Sequence, residues 1–304
     1  MSEYHVPVLL EEALNGLAIR PEGVYVDCTF GGGGHSRALL ERLGPGGRLV
    51  AFDQDQAAAE NLPSDERVLF VPQNFRHLSR FLRFHKIMGV DGILADLGVS
   101  SHQFDEAERG FSTRFDGALD MRMDQRQALK ASDILSGYGE LELHKLFERY
   151  GEVTNARTLA KKIVEARRTN SLSTITGFMQ AVSSVVKGNP RKYFAQVFQA
   201  LRIEVNDELG ALKEMLEQVP GALNAEGRVA VITFHSLEDR LVKNFFKKGA
   251  FEEVEDVNPF ERRQEAPLLT VITKKPILPT DEETRRNPRS RSAKLRVAEK
   301  ATTQ

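Results

Sequence analysis

The sequence predicts an α/β fold in which a Rossmann-like, largely parallel sheet is interrupted by an all-helical insertion. Three observations carry that reading. Strand-like and helix-like segments alternate through the first third of the chain, strand signal all but vanishes across residues 133–219, and a buried-strand run returns at 228–234. Strands separated by helical stretches imply βαβ units and a parallel sheet.

Residues 24–30 (VYVDCTF) are β-branched and aromatic and run into glycines, after which 36–43 read as a helix. Residues 48–52 (RLVAF) form a second strand, followed by a helical pattern from Gln56; 68–71 and 92–95 form the third and fourth. In the middle, 140–150, 154–168 and 175–186 read as helices. The strongest helical segment spans 193–219, where Phe194, Val197, Phe198, Leu201, Val205, Leu209, Leu212 and Leu216 make one apolar stripe of helical period. After the returning strand, 268–273 and 294–298 are further strand candidates, and the charged stretch 249–267 reads as a surface loop. The expected domains are therefore 1–115, the first part of the α/β domain; 116–219, a helical insertion for substrate recognition; and 220–304, the second part with a basic C-terminal tail.

At 304 residues the chain suits one large domain or two. Its 41% hydrophobic and 28% charged residues are ordinary for a soluble globular protein. No run of about 18 apolar residues exists to span a membrane, and the first ten residues, with Glu3 and His5, lack the apolar segment of a signal peptide. The single cysteine, Cys28, excludes an intramolecular disulfide and fits a reducing compartment, so a cytoplasmic location is expected. The same count excludes a four-cysteine zinc site, a three-cysteine iron–sulfur cluster and the radical chemistry such a cluster supports. No metal is expected. A net charge of −1 argues against a purely electrostatic nucleic-acid binder. Local positive charge gathers at 157–168 and 285–296, read either as phosphate-binding patches or as a solvated helix face and a loose tail.

Four segments carry candidate chemistry. Residues 31–36 (GGGGHS) lie between the first strand and a helix, where glycines permit a sharp turn and close ligand approach and the helix start offers free N–H groups. A dinucleotide fingerprint requires a third glycine where Ser36 stands, so the loop departs from the NAD pattern and fits a carboxylate-bearing nucleoside such as S-adenosylmethionine equally well. Asp53 ends the second strand 22 residues after Gly31, close to the spacing of a ribose-binding carboxylate, whereas Asp55 reads as a helix N-cap. Residues 96–101 (DLGVSS) follow the fourth strand and put Asp96 at the carboxyl edge of the sheet, with Gln103 beyond it. Phe75, after the third strand, is placed to flank an adenine, although in isolation it reads as core. In 234–239 (FHSLED), His235 is a candidate proton shuttle, or Ser236 caps a helix with Glu238 and Asp239 in its first turn.

These motifs, taken in order, resemble the bacterial small-subunit ribosomal RNA cytosine-N4 methyltransferase family, also called MraW or RsmH. The resemblance rests on residues 5–10 (HVPVLL), 27–36 (DCTFGGGGHS), 91–103 (DGILADLGVSSHQ), 109–112 (RGFS), 116–124 (DGALDMRMD), 198–206 (FQALRIEVN), 234–240 (FHSLEDR) and 287–290 (NPRS), and so runs nearly the whole chain. Residues 113–115 (TRF) depart from the pattern. The resemblance implies a class I methyltransferase fold with a helical insertion, S-adenosylmethionine as cofactor, and methylation of one cytidine N4 in the decoding region of 16S rRNA. It implies cofactor contacts at Gly33, Gly34, His35, Asp53, Phe75, Asp96 and Gln103.

An activated sulfonium leaves the enzyme mainly positioning and electrostatics to supply. Asp96 is the candidate acceptor for the amine hydrogens and His235 the candidate to take a proton. The acidic-Pro-Pro-aromatic template of amino-methyltransferases is absent, since Leu97-Gly98-Val99 follows Asp96. Cys28, inside the first strand, is a poor nucleophile for a C5 mechanism. The target base must be unpaired or flipped out; Arg157, Lys161, Lys162, Arg167 and Arg168 of the insertion are candidates to hold RNA phosphates. The rivals are an NAD-dependent oxidoreductase, a small-molecule methyltransferase, and a cofactor-binding ribosome-assembly protein without turnover. The oligomeric state stays open, a homodimer included.

Overall fold

The computed structural model describes residues 7–251 and 268–301. Part of the charged loop expected at 249–267, and His5 and Val6 of the first motif, lie outside the described residues. Contacts divide the chain into two compact units, Met1–Gly98 with Gly210–Gln304, and Val99–Leu209.

The first unit contains α1 (Leu10–Leu17), β1 (Val24–Asp27), α2 (Gly34–Arg42), β2 (Arg48–Phe52), β3 (Val68–Val71), α3 (Leu78–Phe84) and β4 (Val90–Asp96). The second is helical: α4 (Ser101–Asp105), α5 (Ala131–Gly137), α6 (Glu140–Gly151), α7 (Ala156–Ala166), α8 (Ile175–Val182) and α9 (Pro190–Asn206). The chain then continues with α10 (Glu208–Ala222), β5 (Leu223–Thr233), α11 (Ser236–Lys248), β6 (Leu269–Val271), α12 (Asp281–Arg286) and β7 (Lys294–Lys300).

All seven strands form one sheet in the order β3-β2-β1-β4-β5-β7-β6. Strands β1 to β5 run parallel, and β7 lies antiparallel between β5 and β6. Within the parallel part, β2 and β4 are buried on both faces and accordingly read as unbroken apolar runs rather than alternating ones. Tyr25, Leu49, Leu94, Ile232 and Leu295 pack with α1 on one face; Val26, Phe52, Ile93, Val231 and Leu216 pack in a separate cluster. The order reverses at β1 and β4, so the loops leaving these two strands bound a crevice at the carboxyl edge. The inserted unit has its own core, centred on Phe147, Leu159, Phe178, Val197 and Leu201.

Several sequence expectations are corrected. The single stripe over 193–219 is two helices, broken at Asp207, which adopts a left-handed conformation (φ 46°, ψ 46°). The pattern from Gln56 is a 3-10 segment, Gln56–Asn61, and the end of the 175–186 helix is a 3-10 turn, Ser183–Val185. The basic tail is not loose. It folds as α12, the turn Pro288–Ser292 and β7, where Arg296 is buried and pairs with Asp239 at 2.7 Å. Sequence reasoning passed over α1, whose signal is Leu10, Ala13, Leu14 and Leu17 on one face with Glu11 and Glu12 in the first turn.

Candidate active site

The glycine loop follows directly from β1. Gly31 and Gly33 take positive φ (51° and 73°), a conformation that costs other residues a Cβ clash. The Gly33 N–H donates to the Phe30 carbonyl at 2.7 Å and closes the turn into α2. The first amides of α2 have no preceding carbonyl within the helix to bond, so the helix start is an anion-accepting surface. Ser36, the residue that spoils the dinucleotide fingerprint, is fully buried and donates its hydroxyl to Asp27 Oδ2 at 2.7 Å. A polar tie from helix to strand thus occupies the place of the third glycine.

Asp27 is a candidate site residue that sequence reasoning missed. It is 1% exposed at the end of β1 and accepts from Ser36 and, at 3.0 Å, from the Thr29 N–H. The Thr29 hydroxyl accepts the Asp96 N–H at 2.7 Å, linking the ends of β1 and β4. The available signal was a carboxylate inside an apolar strand, an arrangement rarely found without partners.

Asp53 sits just past β2. Its Oδ2 accepts the Gly31 N–H at 2.7 Å and its Oδ1 the Asp55 N–H at 2.8 Å. Burial pushes its pKa up to about 6 against the pull of those two amides, and the charges of Asp55 and Asp27 add to the rise. Asp55 is a cap, as expected, accepting the Ala57 N–H. Each Asp53 oxygen keeps a second lone pair, so the carboxylate can take further donors.

Asp96 ends β4. Burial, then the nearby carboxylates of Asp27 and Glu238, push its pKa well above the usual carboxylate range. Its side chain is still 25% exposed, so it is recessed rather than sealed. Its Oδ1 is buried and accepts no hydrogen bond in the structure. Oδ2 lies 3.6 Å from Nδ1 of buried His35, whose Nε2 is 3.0 Å from the Val8 carbonyl. Among the described residues, neither Asp53 nor Asp96 is paired with a lysine or arginine.

His235 follows β5 in extended conformation and precedes α11. Ser236 is the first helical residue rather than the cap; the buried Glu238 instead folds back to accept the Phe234 N–H at 2.8 Å. His235 Nε2 lies 3.1 Å from Glu238 Oε1, at an angle outside hydrogen-bond geometry. Phe75 opens a 3-10 turn after β3 and is half-buried against the core. Cys28 lies one residue beyond β1, buried, and burial pushes its thiol up, which removes it further from nucleophilic chemistry.

The remaining candidates lie in the inserted unit. Gln103 is buried and closes a capping box, its Oε1 accepting the Ser100 N–H while Ser100 Oγ accepts its own. On α7, Lys161 is 67% exposed with Glu165 at 3.9 Å, Lys162 is half-buried and Arg157 is exposed; Arg168, in the turn after α7, is exposed as well. Arg167 departs from the expected patch: its guanidinium donates to the carbonyls of Leu135 (3.2 Å) and Tyr138 (2.7 Å), tying α7 to the end of α5.

A family model described as the MraW methylase family matches residues 2–301. A protein from Parabacteroides distasonis named ribosomal RNA small subunit methyltransferase H is 54% identical over 299 residues, covering 98% of this chain and 97% of that protein. A Flavobacterium johnsoniae protein of the same name is 52% identical over 299 residues, covering 98% of each. Among solved structures, an rRNA methylase from Streptococcus thermophilus aligns at 11% identity and a TM-score of 0.42, covering 98% of this chain and 99% of that one.

Proposed function

Since the chain belongs to the MraW methylase family, we propose that it is an S-adenosylmethionine-dependent methyltransferase that N4-methylates a cytidine in the decoding region of 16S rRNA within the small ribosomal subunit. The observation that carries the cofactor reading is the set of carboxylates at the strand ends. The charge of Asp27 raises the proton affinity of both Asp53 and Asp96, Glu238 at the start of α11 adds to the rise at Asp96, and Thr29 ties Asp27 to the Asp96 backbone. Such a pocket favours a cationic nucleoside and repels the pyrophosphate of a dinucleotide. The buried, unpartnered Asp96 Oδ1 is fitted to a positive or hydrogen-donating group.

S-adenosylmethionine supplies an activated methyl group; the protein binds, orients and manages protons. The amides of Gly34 and His35 at the start of α2 would hold the cofactor's carboxylate, with Gly33, whose own N–H closes the turn onto Phe30, letting it approach the loop closely; Asp53 would accept from its ribose hydroxyls and Phe75 would flank its adenine. Gln103 completes the set of cofactor contacts that the family resemblance carries. Asp96 faces the reacting centre and accepts from the cytosine amine, and His235 takes the proton released. The inserted helical unit, through Lys161, Lys162 and Arg168, holds RNA phosphates. Among the described residues, no helix is long and apolar enough to cross a membrane; the enzyme acts on ribosomal subunits in the cytoplasm.

The deciding experiment is labelled-methyl transfer to unmethylated small subunits, to free small-subunit rRNA and to buffer, with the product mapped by mass spectrometry. N4-methylcytidine in the decoding region is the expected product. Label on another base would keep the methyltransferase and discard the target. No transfer despite tight cofactor binding would favour an assembly protein without turnover.

A further inference from the structure

A short strap ahead of α1 lies over the glycine loop. Pro7 fills the space that a Cβ on Gly34 would need. The Val8 carbonyl, 3.0 Å from His35 Nε2, has only lone pairs to offer, so Nε2 is the donor there. That bond turns the other ring nitrogen, Nδ1, toward Asp96 Oδ2 at 3.6 Å. Leu9 is buried and left-handed (φ 50°, ψ 39°), a backbone conformation that leucine does not adopt without being held. Its N–H donates at 2.8 Å to Oε1 of Glu283, 274 residues away in sequence. Glu283 is itself placed by the start of α12, where the Thr280 hydroxyl accepts its N–H at 3.1 Å.

We propose that Glu283 is a positioning residue for the cofactor pocket: it holds Leu9, Leu9 aims the Val8 carbonyl, and that carbonyl fixes the His35 ring against Asp96. The proposal rests on the reading of Gly33, His35 and Asp96 as a cofactor site. It gives this acidic residue in the C-terminal segment a role in the pocket at the other end of the chain, beyond tying the two segments together.

The test compares Glu283→Ala, Glu283→Asp and Glu283→Gln in the full chain, with Glu282→Ala as a control on the same exposed turn. Two quantities are read: S-adenosylhomocysteine affinity by calorimetry, and the exchange-protected Nε2-bound proton of His35 by NMR in the unliganded protein. Alanine removes the acceptor and aspartate is too short to reach, so each should weaken S-adenosylhomocysteine by about tenfold or more and lose the His35 signal. Glutamine keeps a carbonyl acceptor and should restore both to within about twofold of the parent. If the alanine variant fails to fold, the aspartate variant carries the comparison. Parent-like affinity and signal in the alanine and aspartate variants would overturn the proposal. So would a parallel loss in all three variants that tracks their thermal midpoints, which marks a tie between segments and nothing more. If the parent itself fails to bind S-adenosylhomocysteine, the cofactor reading falls, and the His35 signal alone decides whether Glu283 positions the ring.

Discussion

At Asp53, two backbone amides favour the carboxylate while burial opposes it, and burial wins: the pKa rises from 3.8 to about 6. A folded-state value above the unfolded one contributes stability that is fully present below about pH 4 and is lost as pH rises through about 6. The ionised form therefore costs the fold at neutral pH, by roughly 3 kcal/mol at most, since Asp53 is only partly buried. Ribose hydroxyls donating to that carboxylate would offset the cost, so binding draws the proton off. S-adenosylhomocysteine affinity should rise by about tenfold between pH 5 and pH 7.5, measured by calorimetry. Asp53→Asn should flatten that rise and weaken binding at pH 7.5 by about tenfold or more. A rise that survives the substitution would assign it to another group, with Asp96 the first to examine. The position of Asp53 was legible because strand, glycine loop and second strand set a fixed spacing. The ties from Asp27 to Ser36 and from Thr29 to Asp96 were not, because a side chain's partner across two strands leaves no periodic trace in the sequence.

The limits of periodicity show again among the helices. The apolar stripe over 193–219 runs on through Asn206 and Asp207 without losing phase, yet the backbone breaks there, because the turn is made by one left-handed residue and the stripe records only which side chains are buried. Asn206, last in α9, explains why two of the motifs occur together. Its Oδ1 accepts the Met123 N–H at 2.7 Å and its Nδ2 donates to the Met121 carbonyl at 2.8 Å, so 198–206 grips 116–124 within the inserted unit. Asn206→Leu would strand both backbone groups in a buried place and should destabilise the unit by about 2–4 kcal/mol, read from the urea midpoint. A loss under about 1 kcal/mol would mean that water reaches those groups. A substitution of the opposite sign is available at Ala18, which ends α1 in the left-handed region (φ 50°) while exposed to solvent. Ala18→Gly removes that strain and no packing, and should add about 0.5–1 kcal/mol, raising the thermal midpoint by about 1–3 °C.

At the scale of the whole chain, the alternation of strand and helix made the sheet legible, and the loss of strand signal made the insertion legible. The edges of the insertion were harder. Sequence places them at 116 and 219, where patterns change, whereas the compact unit spans Val99–Leu209. Val99, Phe104 and Phe111 lie before the helical pattern strengthens but pack into the inserted core, and packing partners are not visible in a local pattern. The clusters of the two units share no residue, so residues 99–209 expressed alone should be helical and unfold in one cooperative urea transition; a gradual loss of helix would show that the unit depends on the sheet. The same separation divides the work. The proposed cofactor contacts, Gln103 apart, lie in the loops at strand ends, while the exposed positive charge of α7 belongs to the inserted unit. Lys161 has its nearest acid, Glu165, at 3.9 Å with both side chains more than half exposed. Such a surface pair is worth about 0–1 kcal/mol and yields readily to a phosphate. Replacing Lys161 and Lys162 together by alanine should weaken binding to small-subunit rRNA, flatten the dependence of log affinity on log salt by about one to two, and leave S-adenosylhomocysteine affinity alone. Weaker binding with an unchanged salt slope would mean that these lysines support the helix rather than meet the RNA, and a parallel loss of cofactor affinity would mean that the two units do not divide the work.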